Sequence, residues 1–355
     1  MNQWDAPHSA RPPSLVLMAL ARLIANVRRT AAARCWAALV VAVLTGTARG
    51  GDDLCCHGGP GCVDLWVINT RGVPCCGDFP AALDRLAISH CEPGGWARYT
   101  RQQFLTATDS SLPVCFYVHG IFSEERLALK QARELFGNVG AGLPPFRGVL
   151  WKWPSEFECG VSVRDQVERS NAATQSQAFY MASIIADLGP RVPVSLVGHS
   201  LGCRTVVATL QGLASREIAG QPLAEPVSAA ARPIQAVLVA PAIEPFSLWP
   251  GGQYGSALSQ VERMLITYNP GDRVLRTYEH FFDRRPLGLR GLPQPAVAAG
   301  GFEKVTQFNA NPAVGKRHVP SAYFDSPAVA AWMRGYVGRV QGSGFRVQGS
   351  GFQHD

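Results

Sequence analysis

The fold is decided by the stretch from Val192 to Cys203, which reads VPVSLVGHSLGC. Its apolar first half predicts a buried strand, and the residues that follow predict a helix from about Arg204 to Ala214. Between the two lies a G-x-S-x-G motif, in which Gly198 and Gly202 let strand and helix approach closely around Ser200. A serine on such a strained turn stands clear of the sheet edge, where it can act as a nucleophile.

Length and composition indicate one large globular domain, or a domain plus an appendage. The chain has 355 residues, of which 47% are hydrophobic and 17% are charged, which suits a sizeable core. The net charge of +7 is concentrated in the first 48 residues, which hold five arginines against one acid. No run of lysine and arginine interleaved with aromatic residues occurs in the sequence, so no nucleic-acid partner is expected.

The N-terminal segment, residues 1–48, has the organisation of an export signal. Arginines precede a short apolar run from Cys35 to Leu44, and the small residues behind it fit a cleavage site at Ala48. The run is shorter than the ~20 residues that span a bilayer. We therefore expect an exported protein with a cleaved leader. The alternative is an uncleaved anchor, in which case the leader alone would contact a membrane.

A cysteine cluster supports export. Six of the ten cysteines lie close together in the sequence, at Cys55, Cys56, Cys62, Cys75, Cys76 and Cys91. Such clusters are typical of disulfide-bonded exported proteins, so residues 49–105 are interpreted as a disulfide-bonded element that leads into the first strands. A metal site with His57 and His90 as further ligands is the alternative. The adjacent Cys-Cys pairs lack C-x-x-C spacing, so we expect no metal and no cofactor.

The remainder alternates strands with helices. Predicted strands are Val63–Ile68, Val114–Val118, Val149–Trp153, Ile234–Val239, Met264–Tyr268 and Lys304–Phe308. Predicted helices are Ala81–Ile88, Glu124–Phe136 with Ser123 as cap, Asp165–Leu188 and a last helix opened by Ser326-Pro327. This alternation predicts an α/β fold over residues 106–338, with a mainly parallel sheet and helices on both faces. The tail, residues 339–355, repeats RVQGSGF and is predicted to be disordered.

A serine nucleophile needs a histidine base and an acid that orients it, and in this type of fold they follow the serine in the order acid, then histidine. His318 lies between the last predicted strand and the last helix, as the base should, with His280 as the alternative. Asp272 follows the strand that ends at Tyr268 and is the predicted acid, with Glu244 as the alternative. Asp272 could also cap the next helix and still orient the base.

The loop after the strand Val114–Val118 begins with His119-Gly120. A glycine there lets the chain turn back towards the nucleophile. The amides of Ile121 or Phe122 can then face the same point as the amide of Leu201. These three amides form the predicted oxyanion hole.

Taken together, the motifs resemble a bacterial α/β-hydrolase family of unknown function, placed among lipase/esterase-like serine hydrolases with a G-H-S-x-G elbow. The resemblance covers about residues 63–337. It rests on LWVINTR at 65–71, HG at 119–120, WPS at 153–155, the elbow, NPGDRVL at 269–275, and His318 with Tyr323-Phe324 behind it. It implies an α/β-hydrolase fold and supports Asp272 as acid and His318 as base. The family's Ala-Pro-Asp-x-Asp stretch is here Ala240–Glu244, where the first acid is missing.

The sequence thus predicts an exported serine hydrolase that cleaves a small-molecule acyl ester through an acyl-enzyme. Because a fold does not fix a function, the alternative is a non-catalytic envelope protein that binds a ligand on a hydrolase scaffold. The interval Ala240–Met264 holds four large apolar or aromatic residues, Phe246, Leu248, Trp249 and Tyr254, and is too short for a helical cap domain. It predicts a small apolar flap and a preference for short or medium acyl chains.

Overall fold

The computed structural model describes residues 63–107, 112–156, 158–188, 191–224, 234–293 and 301–338. The predicted export signal, the first three cysteines of the cluster and the repeat tail lie outside these ranges, so those interpretations stay predictions. Within these ranges no helix is both long and apolar enough to cross a membrane.

A nine-stranded sheet forms the centre of the protein. Its strands are β1 (Asp64–Asn69), β2 (Ala87–Glu92), β3 (Gly95–Tyr99), β4 (Val114–Val118), β5 (Arg147–Lys152), β6 (Val194–His199), β9 (Ile234–Val239), β10 (Arg263–Tyr268) and β11 (Val305–Asn309). The short strands β7 (Glu217–Ile218) and β8 (Gln221–Pro222) pair separately. The spatial order is β11-β10-β9-β6-β4-β5-β1-β2-β3. Every pairing from β11 to β1 is parallel, and β2 and β3 add an antiparallel edge.

The helices follow the strands. They are α1 (Arg101–Thr106), α2 (Glu125–Glu134), α3 (Val163–Asp187), α4 (Gly202–Ser215), α5 (Arg273–Phe282), α6 (Leu287–Arg290), α7 (Asn311–Val314), α8 (Pro320–Phe324) and α9 (Pro327–Arg334). Strands β4, β5, β6 and β9 are buried at every position. Successive side chains of a strand point to opposite faces, so both faces of the sheet are covered. The predicted architecture is confirmed.

The antiparallel edge differs from the prediction. The segment predicted as a helix over Ala81–Ile88 forms a 3-10 helix only from Pro80 to Arg85, and strand β2 begins at Ala87. The turn between β2 and β3 contains Pro93-Gly94, and Gly95 adopts a φ of +121° that glycine tolerates. That Pro-Gly pair is the sequence signal for the hairpin.

Two predicted helix starts have different outcomes. Ser326 caps α9 by accepting a hydrogen bond from the Val329 amide, with Pro327 at the first helical position, as predicted. Helix α2 instead has Glu124 at its N-cap position and no side-chain capping bond, so the cap at Ser123 is wrong. The carbonyl oxygen of Ser123 accepts a hydrogen bond from Arg71 at 3.2 Å, and Ser123 is buried.

Candidate active site

The turn between β6 and α4 has the strained geometry that the sequence predicts. Ser200 has a φ of +53°, a left-handed conformation that is uncommon for residues other than glycine. Two backbone hydrogen bonds hold it there. Its amide donates to the Val239 carbonyl at 2.9 Å, and its carbonyl accepts from the Ala242 amide at 3.1 Å. The surrounding chain thus fixes the position of the Ser200 hydroxyl.

The flanking glycines allow the close approach that this turn requires. A Cβ atom on Gly202 would lie 2.4 Å from the carbonyl oxygen of Val118. On Gly198 it would lie 2.7 Å from Cα of Cys203. Both contacts are to backbone, which cannot rotate away as a side chain could. Strand and helix can therefore meet around Ser200 only because these two positions lack side chains.

Three predicted residues meet at this turn. Ser200 Oγ donates to His318 Nε2 at 2.9 Å, and His318 Nδ1 donates to Asp272 Oδ2 at 2.7 Å. All three side chains are buried, with Asp272 fully so. They come from the segments after β6, β10 and β11. A serine, acid and histidine in this order at one edge of a mainly parallel sheet are the arrangement of the α/β-hydrolase fold.

Asp272 both caps the helix that follows it and orients the base, as the sequence allowed. Its Oδ1 accepts a hydrogen bond from the Leu275 amide at 2.9 Å and so caps α5, while Oδ2 contacts His318. The cap fixes the carboxylate in one orientation. Fixing the acid in this way also fixes the ring of His318, as a triad requires.

Asn269 has a positioning role that sequence reasoning missed. Its side-chain Nδ2 donates to the carbonyl oxygens of Gly315 at 2.8 Å and Arg317 at 3.3 Å. These bonds tie the loop that carries His318 to the end of β10. The available signal is the Asn-Pro-Gly-Asp turn itself, because asparagine at the start of a turn hydrogen-bonds nearby backbone.

The alternative residues lie elsewhere. Glu244 binds Arg204 at 2.8 Å and lies 3.7 Å from the Nε atom of Arg284. His280 is exposed on α5. The sequence left two candidate acids and two candidate bases. Of these, the structure brings Asp272 and His318 to Ser200.

The predicted oxyanion hole needs one correction. The Phe122 amide donates to the carbonyl oxygen of Ser155 at 2.5 Å, so it is not free to bind an oxyanion. Phe122 has a left-handed φ of +60° at this point of the loop. A Cβ on Gly120 would lie 3.2 Å from Cβ of Ser200, so the loop passes directly beside the nucleophile. The amides of Ile121 and Leu201 stay the predicted donors.

Two further histidines are buried around the triad. His199 Nε2 donates to the carbonyl oxygen of His318 at 2.8 Å, and burial lowers the pKa of His199 well below 6.5. Burial also lowers the pKa of His119 to about 3, and its Nδ1 donates to the carbonyl oxygen of Gly120 at 2.9 Å. Both rings are therefore neutral near pH 7. Among these three histidines, His318 is the one whose ring hydrogen-bonds to the Ser200 hydroxyl.

Because the ring of His119 is buried and neutral in the folded protein, the free energy of unfolding depends on pH. Between pH 6.5 and about 3 the unfolded chain binds a proton there that the folded protein does not, so the free energy of unfolding falls as the pH falls. The contribution is about 1.4 kcal/mol per pH unit. We expect His119→Gln to flatten the stability profile between pH 6.5 and 5, measured by urea unfolding at each pH.

Trp153→Phe is the matched control for that measurement. The Trp153 indole donates to the carbonyl oxygen of His119 at 2.9 Å, so the change weakens the same site without removing a titratable group. It should lower stability at every pH and leave the slope as it was. An unchanged slope in His119→Gln would show that this ring does not titrate as described.

No protein-family model and no curated protein matches this chain. Similar solved structures include inhibited esterase B from Lactobacillus rhamnosis, which is 12% identical, with 87% of this chain and 93% of that chain covered and a TM-score of 0.44. Acyl-protein thioesterase 2 from Zea mays is 15% identical, with 65% and 96% covered and a TM-score of 0.37. Carboxyl esterase 2 from the fungus Tuber melanosporum is 14% identical, with 70% and 80% covered and a TM-score of 0.34.

Proposed function

We propose that this protein is an exported serine hydrolase that cleaves carboxylic esters through an acyl-enzyme. The observation that carries the proposal is the chain of hydrogen bonds from Ser200 through His318 to Asp272. Ser200 Oγ is in direct contact with a base, and that base is oriented by a buried acid. This is the arrangement by which a weak hydroxyl nucleophile is activated.

In the first half-reaction Ser200 Oγ attacks the ester carbonyl carbon while His318 Nε2 takes the hydroxyl proton. Asp272 stabilises the resulting imidazolium through Nδ1. The amides of Leu201 and Ile121 hold the negative oxygen of the tetrahedral intermediate. When the intermediate collapses, the bond to the alcohol breaks, and His318 gives its proton to the alcohol oxygen. Water then attacks the acyl-enzyme by the same route and releases the acid.

The export part of the proposal rests on the leader and on the cysteine cluster. Cys75 and Cys76 are exposed and Cys91 is half-buried, while the other three cysteines of the cluster lie outside the described ranges, so the pairing of the six stays open. His90, which the metal alternative needs as a ligand, contacts the Asp64 carboxylate through Nε2 at 2.7 Å and the Glu92 carboxylate through Nδ1 at 3.3 Å, so both ring nitrogens have protein partners. The environment of His90 thus gives the metal alternative no support.

Rates of hydrolysis of esters that differ in acyl-chain length test the proposed ester hydrolase. Leu248 and Tyr254 of the predicted flap are buried in the core, and Phe246 is 60% exposed. Two 3-10 helices, Pro245–Leu248 and Ala257–Gln260, take the place of a helical cap. We therefore expect hydrolysis of p-nitrophenyl acetate and butyrate, with no increase in rate when a long-chain ester passes its micellar limit.

Two outcomes would contradict this expectation. A jump in rate at the micellar limit, with long chains preferred, would identify a lipase. No hydrolysis of any ester in the series would favour the non-catalytic binding protein.

A further inference from the structure

The loop that carries His318 has no regular secondary structure of its own. Residues 315–319 lie between α7 and α8 and belong to no helix or strand. The position of His318 is nevertheless narrowly defined, because its Nε2 must stay within hydrogen-bond reach of Ser200 Oγ, which lies 2.9 Å away. A displacement of about 1 Å can lower the rate of a reaction about 100-fold. Contacts from outside the loop must therefore hold His318 in place.

Two buried side chains bind carbonyl oxygens of this loop. Asn269 binds those of Gly315 and Arg317. His199 binds the next carbonyl along the chain, with its Nε2 donating to the oxygen of His318 itself at 2.8 Å. His199 is only 3% exposed and is the last residue of β6, which lies between β4 and β9 in the sheet. The backbone of the predicted base is thus tied to the centre of the sheet.

This bond fixes the protonation of the His199 ring. A carbonyl oxygen only accepts, so the ring proton lies on Nε2, and Nδ1 is unprotonated in the neutral ring. Burial, with a smaller contribution from His318, lowers the pKa of His199 well below 6.5. The two ring centroids are 4.9 Å apart, so a charged His199 would oppose the imidazolium that His318 forms during catalysis. A neutral ring can hold the base without that repulsion.

The other nitrogen of the His199 ring faces the oxyanion loop. A Cβ atom on Gly120 would lie 3.0 Å from His199 Nδ1. The ring therefore lies between the loop that carries the base and the loop that begins with His119-Gly120. Its volume and its hydrogen-bond donor are two different contributions, and substitutions can separate them.

We propose that His199 is a positioning residue, which acts through His318 and makes no contact with the substrate. Its Nε2–H holds the backbone of the base, so that the imidazole of His318 stays aligned with Ser200 and Asp272. The effect on rate rests on the proposed ester hydrolase. The role requires a hydrogen-bond donor at position 199 and does not require a group that titrates.

The test compares two substitutions that keep about the volume of the ring. In His199→Gln the side-chain amide can still donate to the His318 carbonyl, whereas His199→Leu has no donor. With p-nitrophenyl acetate, kcat is expected to fall about 100-fold in His199→Leu and less than about tenfold in His199→Gln. KM should change little in both, because the substrate is bound elsewhere. Lys316→Gln, an exposed change in the same loop, is the matched control and should keep wild-type kcat.

An NMR measurement tests the same role without a substrate. The proton between His318 Nδ1 and Asp272 Oδ2, which are 2.7 Å apart, is expected to give a low-field proton signal. This signal should persist in His199→Gln and should broaden or disappear in folded His199→Leu. If His199→Leu does not fold, His199→Phe takes its place, because phenylalanine also lacks a donor.

The combined results separate this inference from the proposed function. Wild-type kcat, or an unchanged NMR signal, in the variant without a donor would overturn the positioning role. An equal loss in His199→Gln would overturn it too, because the amide keeps the donor. If the wild-type protein cleaves no ester but the NMR signal follows the donor, the ester hydrolase is wrong and the positioning role stands.

Discussion

Ser200→Ala is expected to lower kcat for ester hydrolysis by at least about 10⁴-fold while the protein stays folded. The change removes Oγ, the atom that attacks the substrate, and leaves the backbone bonds to Val239 and Ala242 in place. The measurement is steady-state hydrolysis of p-nitrophenyl acetate, with thermal unfolding as the check on folding. Ser259→Ala, an exposed serine in the 3-10 helix Ala257–Gln260, is the matched control and should keep wild-type activity.

Hydrolysis that survives in Ser200→Ala would require another nucleophile. Cys203 is near, on the first turn of α4, but it is fully buried. Burial raises the pKa of its thiol well above 9, so the reactive thiolate is not formed near pH 7. Cys203 is therefore not expected to substitute for Ser200.

Asp272→Asn is expected to lower kcat by about 10⁴-fold with little loss of stability. The asparagine carbonyl oxygen can still accept from the Leu275 amide, so the cap of α5 is preserved. Its amide group cannot accept from His318 Nδ1 in the same orientation, so the ring is no longer held with its Nε2 free to take the Ser200 proton. His318→Ala should cost at least as much, because it removes the base itself.

Glu244→Gln is the comparison that decides the identity of the acid. Glu244 contacts Arg204 and Arg284 and makes no contact with His318 in the structure. The Glu244→Gln change should therefore lower kcat on p-nitrophenyl acetate far less than Asp272→Asn does. A larger loss in Glu244→Gln than in Asp272→Asn would transfer the role of the acid to Glu244. Parallel measurements of unfolding separate loss of activity from loss of fold.

The parts of the site that local sequence determines could be predicted. The elbow is one continuous motif, so the strained conformation of Ser200 follows from the glycines on either side. Asp272 could be placed because it follows a strand that is itself a clear apolar run, and His318 because it lies between the last predicted strand and the last helix. Their order along the chain then limits the choice to few residues.

The parts that depend on tertiary contacts could not be predicted. The direction of the Phe122 amide depends on its left-handed φ and on the carbonyl of Ser155, which is distant in sequence. The ion pairs of Glu244 with Arg204 and Arg284 join three separate segments of the chain. No spacing rule in the sequence relates these segments. The β2–β3 hairpin has a sequence signal for its turn, Pro93-Gly94, but its strands contain few apolar residues and so give no strand pattern.

The central claim is that Ser200 is the nucleophile, and mass spectrometry after reaction with a fluorophosphonate tests it most directly. In that reaction Ser200 Oγ forms a bond to phosphorus, fluoride leaves, and His318 takes the hydroxyl proton. We expect one adduct per chain, on the peptide that contains Ser200, and no adduct in Ser200→Ala or His318→Ala protein. An adduct on any other residue, or folded wild-type protein that stays unmodified, would contradict it.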